Sequence, residues 1–543
     1  MPASRSQTPT ASAVLFGPAL IALLCVIYAL AGIVGHDPWK NTDAVNLAIA
    51  HSFATAPASL GHPTWLVPML AGEPWLHNPP LYHWISAGLG NLLDTFLPWH
   101  DAARLASSLF LLLGLLLISL SARGFHGREA GYIAPLLAIG SLGLLIPAHD
   151  SQPAIAAFAA TSGVFAALAW WPLYPRRCAL GLGLAVGLGF LAAGLESLML
   201  NVSITFVALL FPTWRRVARE SWLISLGIGS ALALLWPLAL NEFAPKLLDP
   251  WLAQELERLF SRPSVDIRRI ELLIWGTWPV LPLSAWTLWL NRRQLLLGRH
   301  LIPLFAVLAS LLLYFVADEA NEVIPVMIVA LAILGSAEAG RLRRGAANAF
   351  DWFGCITLTL FMGVVWLAGI SILTGQPARI AKNFTKFAPD FHPELSWFAL
   401  TAAVIATGFW IYMLLSAKRS PWRATSRWAV GIVCLSTLIS CLMMPWVDHE
   451  KSYRSVAAGL RQQLGPNPGC IERSGVGSGQ RASLYYFADL QTQLPGSAGN
   501  CRFRLVQAGS GAVAQIPGWR FTKEFFRPGD RKERLRLYQR NSD

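Results

Sequence analysis

Charge is scarce along this chain, and what there is never gathers into one block. Asp, Glu, Lys and Arg make up 13% of the 543 residues, whereas a soluble globular domain carries about 25%. A water-exposed exterior over the whole chain is excluded on that ground. Familiar catalytic signatures are missing too. There is no P-loop, no Gly-x-Gly-x-x-Gly after a strand, no serine nucleophile elbow, no His-Glu-x-x-His and no paired Cys-x-x-Cys. Nucleotide-fed chemistry and a dedicated metal site therefore have no motif to stand on. Cysteine is sparse at seven residues. Cys25, Cys178, Cys355, Cys434 and Cys441 sit in or beside apolar runs, which suits packing. Cys470 and Cys501 fall in polar sequence, where an oxidising compartment would allow a disulfide between them.

What the chain has instead is apolar sequence, 54% of it, broken into runs that match the thickness of a bilayer core. Counting runs and the Pro, Gly or charged breaks between them gives about thirteen spans, centred near residues 23, 111, 138, 161, 186, 204, 231, 280, 308, 330, 363, 405 and 436. The expected fold is mainly α: a polytopic membrane helical bundle over residues 1–447, with a small α+β domain over 448–543. No cleavage site follows the first run, so residues 14–34 read as a retained helix. The segment Leu191–Ser197 (LAAGLES) reads as a tight turn between two spans.

The net charge of +13 could suggest nucleic acid, but the basic residues fall in short clusters between apolar runs. Arg123/Arg128, Arg176/Arg177, Arg215/Arg216/Arg219, Arg292/Arg293, Arg341/Arg343/Arg344 and Lys418/Arg419/Arg423/Arg427 occupy every second loop. The short loops around His149–Asp150 and Asp318–Glu322 have no Lys or Arg. That alternation is the positive-inside pattern. It predicts a cytoplasmic N-terminus, a C-terminal domain outside, and no nucleic-acid partner.

One loop stands out. Residues 35–100 form a first outer loop of unusual length for so apolar a chain, and long loops tend to carry function. Asp37 and Asp43 open it, ahead of an amphipathic stretch. Gly72-Glu73-Pro74 and His77-Asn78-Pro79-Pro80 lead into a second one. Asp43 has two readings: a cap for the helix that starts beside it, or a base or orienting group at the membrane–water boundary. Asp150, at the outer end of the third span, shares the second reading. His77 reads as a hydrogen-bonded structural residue or a metal ligand. Residues 241–268 read as an interfacial amphipathic helix with Trp251, Leu252, Leu256, Leu259 and Phe260 on one face. The nearby Arg258, Arg262, Arg268 and Arg269 suit either a lipid phosphate or anchoring to anionic headgroups. In the C-terminal region, SVAAGLRQQL reads as helix, and ASLYYFADL and FRLVQAG as strands.

Taken together these stretches resemble the GT-C membrane glycosyltransferases, in particular the bacterial branch that includes the lipid A aminoarabinose transferase and relatives of the protein O-mannosyltransferases. Asp43-Ala44-Val45-Asn46-Leu47-Ala48 is similar to the family's Asp-Glu-x-x-Tyr-Ala, with the Asp kept and the Glu lost. Gly72 through Pro80 is similar to the Gly-x-x-Tyr/Trp turn followed by Glu-Lys-Pro-Pro, with His77 and Asn78 in place of the Glu and Lys. Asp150-Ser151-Gln152-Pro153 matches the second-loop acid followed by proline. Phe190 to Gly194 matches a Phe-Leu-x-Lys-Gly turn in which Ala193 replaces the Lys, and Trp251 to Phe260, with Glu255 and Arg258, loosely matches the interfacial motif.

The resemblance implies transfer of a sugar from a polyprenyl-phosphate donor to a lipid, polysaccharide or protein acceptor, on the periplasmic side of a bacterial inner membrane. It implies Asp43 and Asp150 as catalytic residues, with Asp37, His77, Asn78, Glu255, Arg258, Arg268 and Arg269 at the substrates. No cofactor beyond the lipid-linked donor is required. A divalent metal stays open, with His77 and Glu255 expected to face one another as an ion pair or as shared ligands. Two other readings of the same features are a flippase for lipid-linked sugars and a catalytically silent membrane scaffold.

Overall fold

The computed structural model describes residues 17–541 apart from 56–62, 217–218, 261, 264, 318, 417–419, 497–500, 529 and 531. Residues 14–16, Asp318, Lys418 and Arg419 of the patterns above lie outside the described residues. In chain order the first elements are α1 (Pro18–Leu30), α2 (Thr42–Thr55), β1 (Met69–Leu70), β2 (Glu73–Pro74), α3 (Leu81–Leu93), α4 (Trp99–His126), α5 (Arg128–Ile139) and α6 (Pro153–Trp170). Then come α7 (Pro175–Leu209), α8 (Pro212–Arg215), α9 (Arg219–Phe243), α10 (Leu248–Leu259), α11 (Ile267–Gly276), α12 (Val280–Leu290), α13 (Gly298–Val316) and α14 (Val323–Glu338). The last helices of the bundle are α15 (Arg344–Thr374), α16 (Ala378–Phe387), α17 (Trp397–Ser416), α18 (Arg423–Leu442) and α19 (Met444–Lys451).

Nine helices among the described residues are long and apolar enough to cross a membrane. The shorter apolar α1 and α12 accompany them. Each of the thirteen predicted centres falls inside a helix. Two of them, 186 and 204, share α7, which breaks at Ala193 and Gly194. A Cβ on Gly189 would lie 2.8 Å from Asn201 Nδ2, although twelve residues of straight helix would separate those positions by roughly 18 Å. The two halves of α7 therefore double back on each other. Gly194, at φ +61°, supplies a left-handed backbone that a β-carbon would strain.

Burial sorts the helices. The spans at α6 and α14 are both 83% buried and run through the middle of the bundle. The sequence of α6, PAIAAFAATSGVFAALAW, explains why: small residues let neighbouring helices approach closely. α9, α15 and α17 expose apolar side chains such as Leu226, Leu235, Leu360 and Ile405 outward, as lipid-facing spans do.

The C-terminal region packs α20 (Arg454–Leu464) and α21 (Ser478–Ala488) on a four-stranded sheet of β3 (Ile471–Ser474), β4 (Phe503–Ala508), β5 (Trp519–Phe525) and β6 (Arg534–Arg540). The strand order is β3-β4-β6-β5; β3 and β4 are parallel and the other pairs antiparallel. Cys470 and Cys501 form a disulfide with Cα atoms 5.1 Å apart. It staples the parallel pair where Ile471 meets Phe503. ASLYYFADL, expected as a strand, is instead largely α21. The Gln480 side chain accepts from Gly477 N at 2.7 Å and closes the helix start, and Ala482 packs against α2 while Leu484 enters the domain core. The run of aromatics resembled strand alternation, but the cap and two-sided packing decide the outcome.

Candidate active site

The first loop lies between the bundle and the C-terminal region. α2 is buried along almost its entire length, with α3 and α21 packed against it. Its first turn presents Asp43 and Asn46 to the loop that precedes α6, and that loop carries Asp150 and Ser151.

Ser151 is held at all three polar atoms. Its amide donates to Asp43 Oδ1 at 2.8 Å, and its carbonyl accepts from Asn46 Nδ2 at 3.0 Å. Its hydroxyl accepts from Tyr82 at 3.1 Å. His83 Nε2 lies 2.9 Å from Asn46 Oδ1 and fixes that side chain in turn.

Asp43 is 2% exposed and fully partnered. Arg104 donates to it twice, Nε to Oδ1 at 3.1 Å and Nη2 to Oδ2 at 3.0 Å. Trp39 N adds a bond of 3.2 Å. The same guanidinium reaches Asp101 Oδ1 and the Ile33 carbonyl, each at 3.0 Å. Asp101 in turn accepts from Gly35 N at 2.9 Å. One fork thus ties the exit of α1, the start of α2, α4 and the Ser151 loop together. Burial alone would raise the Asp43 carboxyl, but the Arg104 charge and hydrogen bonds outweigh it and hold the group below the usual carboxylate range. An anion so held is a weak base and a strong positioning element. Arg104 itself was not among the sequence candidates. The available signal was an arginine inside an apolar helix, three residues after Asp101, since a charge there is costly without partners.

Asp150 differs in every respect. Its carboxyl has no hydrogen-bond partner among the described residues. Burial first, then the charge of Asp43, push it up to about 7, against the lowering pull of Arg104 and Lys451. It lines a cleft of 440 Å³ with His36, Lys40, His149 and Lys451. His149 is fixed there, with Nδ1 2.6 Å from the Leu145 carbonyl and Nε2 2.6 Å from that of Tyr28. Burial and then Arg104 lower His36 to about 4, so it is neutral at pH 7. A carboxyl at about 7 can take or give a proton near neutrality.

A second, smaller chamber lies across the Ser151 loop. It measures 40 Å³ and is lined by Pro153, Ala154, Glu196, Glu322 and others. Asn78 and Ala193, the two positions where the resembled family carries lysine, meet in it. Its described lining residues include Glu196 and Glu322 and no Lys or Arg.

The remaining candidates scatter. Asp37 pairs with Arg454 and accepts from Ser452 Oγ at 2.6 Å, while its amide donates to Asp448 Oδ1 at 2.8 Å. It thereby ties the first loop to α19 and α20. Glu255, 1% exposed, pairs with Arg258 and accepts from Leu195 N at 2.7 Å, capping the second half of α7. Arg269 grips the end of α13 through the Tyr314 and Ala317 carbonyls at 3.1 and 2.8 Å. Arg268 is exposed. His77 packs its ring 5.9 Å from that of Trp75. Trp251, Glu255 and Arg258 form the protein-facing stripe of α10, so Trp251 leaves the apolar face predicted for it. Leu252, Leu256 and Phe260 stay exposed on the other side, where an interface helix meets lipid. Among the described residues, no three His, Cys, Asp or Glu gather as metal ligands.

No family model matches the chain, and no curated protein matches it in sequence. Solved structures do. ArnT from Cupriavidus metallidurans bound to undecaprenyl phosphate aligns with a TM-score of 0.70 at 17% identity, covering 96% of this chain and 97% of that one. The same protein in the apo state gives 0.69 at 16% identity over the same shares. The chain has the GT-C membrane glycosyltransferase fold.

Proposed function

We propose that the chain is an integral-membrane glycosyltransferase that moves a sugar from a polyprenyl-phosphate donor to an acceptor, on the outer side of the bacterial plasma membrane. The observation that carries this reading is the Asp150 carboxyl, hydrogen-bond-free, lining a cleft and poised at about 7 beside the fixed anion of Asp43. The likeness to ArnT, solved with undecaprenyl phosphate bound, supports the donor class. The disulfide suits an oxidising compartment and supports the outer placement of residues 448–543 as a soluble domain.

In the proposed step the acceptor oxygen attacks the anomeric carbon and its proton passes to Asp150. The bond from that carbon to the phosphate oxygen breaks, and polyprenyl phosphate leaves with the electron pair, inverting the centre. Asp43 acts as a positioning residue, through Arg104 on one side and the Ser151 amide on the other. The donor would approach beside α10 and α11, where Arg258, Arg268 and Arg269 supply positive charge for its phosphate. A chamber of 40 Å³ has room for little more than one water. Admitting a sugar therefore requires the turn at Gly194 and α10 to move apart. Transfer from a labelled polyprenyl-phosphate sugar by Asp150→Asn against the parent protein tests the scheme. Undiminished transfer by the variant removes Asp150 from the reaction.

One observation favours the silent-scaffold reading: the small chamber is lined by Asn78 and Ala193 at the two positions where the resembled family carries lysine. No transfer by the parent protein from any polyprenyl-phosphate sugar would select it.

A further inference from the structure

Between Asp351 and Asp390 the chain carries no acid, and the bases there, Arg379, Lys382 and Lys386, all fall in α16. That helix links α15 to α17, spans of which only 22% and 17% is buried. It lies on the same side of the bundle as the C-terminal region. Phe384 meets the Trp446 ring of α19 edge-on at 5.0 Å, and the Phe391 ring lies 5.4 Å from that of His449. At 3.6 residues per turn, Ile380, Ala381 and Phe384 share the side turned to the protein and are half-buried. The three bases share the opposite side and are exposed. No hydrogen bond or ion pair joins their side chains to another described residue.

Two observations point to what covers this face. Apolar rings flank it: Phe387 is 49% exposed, and Trp397 and Phe398, at the start of α17, 72% and 86%. Aromatic side chains beside lipid-facing spans mark the headgroup layer, where bare cations meet lipid phosphate. The row of bases is also long. Arg379 and Lys386 are about 10 Å apart along the helix axis, too far for one phosphate group to serve both. We infer that α16 is a docking surface for the anionic phospholipid of the surrounding bilayer, several phosphatidylglycerol headgroups lying along its cations, and that it passes this load to α19 through Trp446. The Asp448 carboxylate of α19 accepts from Asp37 N and from Trp39 Nε1, each at 2.8 Å, so α19 grips the loop that bears Asp43. Lipid held on α16 therefore braces the first loop from outside.

The test is hydrogen exchange on the full chain in nanodiscs of phosphatidylcholine alone and of phosphatidylcholine with phosphatidylglycerol. Amides of 378–388 and 444–451 are expected to exchange more slowly with phosphatidylglycerol, and concentrated sodium chloride should erase the difference. Each of Arg379→Gln, Lys382→Gln and Lys386→Gln should weaken the apparent affinity for phosphatidylglycerol about fivefold, the factor for one cation at an anionic surface. The three together should abolish the response. Phe384→Ala should keep protection in α16 and lose it in α19. Equal exchange in the two kinds of disc, or a difference that survives the triple variant, overturns the docking surface. Protection that stops at residue 388 in the parent protein overturns the transmission to α19. Undecaprenyl phosphate protecting α16 where an equal fraction of phosphatidylglycerol does not would place the helix on the donor's path, and overturns the assignment too. None of these readouts requires sugar transfer, so the outcome is separate from the transferase reading.

Discussion

Asp43 and Asp150 sit on either side of one peptide group, yet the protein treats them as opposites. Around Asp43 every oxygen is claimed, by two Arg104 nitrogens, the Ser151 amide and Trp39 N. Around Asp150 the carboxyl has neighbours that act through charge alone. The contrast shows that position at the end of a span does not assign a role. The arginine does: saturating one carboxylate fixes a frame, and that frame's negative charge helps lift the proton affinity of the next.

The strongest way to break this comparison is to neutralise each acid in turn. Asp150→Asn is expected to lower transfer by about 10²- to 10⁴-fold, the usual reach of a general base, with folding retained. If Asp43→Asn instead gave the larger kinetic loss without loss of stability, the roles would be reversed. Next in size, Arg104→Met leaves Asp43 and Asp101 buried without their cation and should cost about 3–5 kcal/mol. Thermal unfolding in detergent reads this as a sharp drop in midpoint, or as failure to accumulate.

The pH dependence sharpens the same contrast. In the proposed step Asp150 accepts the proton only when ionised, so transfer should fall about tenfold per unit below pH 7, and Asp150→Asn should flatten the profile. Stability runs the other way. The folded state holds Asp150 at about 7 while the unfolded chain ionises it in the ordinary carboxylate range. The folded state therefore loses stability as pH rises between those two values. A melting series from pH 5 to 8 should show the parent falling relative to Asp150→Asn. The smallest effect concerns the latch from the first loop to α20. Arg454 is largely exposed, so Arg454→Ala should cost only about 1 kcal/mol, read as faster proteolysis between α19 and α20.

How much of this the sequence discloses depends on how local the cause is. Apolar runs and the break at Ala193–Gly194 are short-range signals, and each predicted centre falls in a helix, although α5, around residue 138, is not among the described helices long and apolar enough to cross a membrane. Cysteines confined to one polar tail were enough to single out Cys470 and Cys501. The strand expected at Ala482–Leu490 failed because a glutamine cap and the facing helix α2 settle its conformation. Asp43 and Asp150 could be picked out as carboxylates at span ends. Their difference could not, because it is made by Arg104, sixty-one residues from Asp43. The pairing of Asp37 with Arg454 spans 417 positions, and no pattern in a single chain announces it.

Glu255 fills the notch that Gly194 leaves empty, where even a methyl group would collide with its carboxylate. It also carries a surface helix whose outer face is bare leucine and phenylalanine. Whatever presses on that helix, whether crowded headgroups or a bilayer of different thickness, pulls on the hinge that bears Glu196 and Ser197. Reconstitution in lipids of graded chain length is therefore expected to alter the opening of the small chamber without touching a residue.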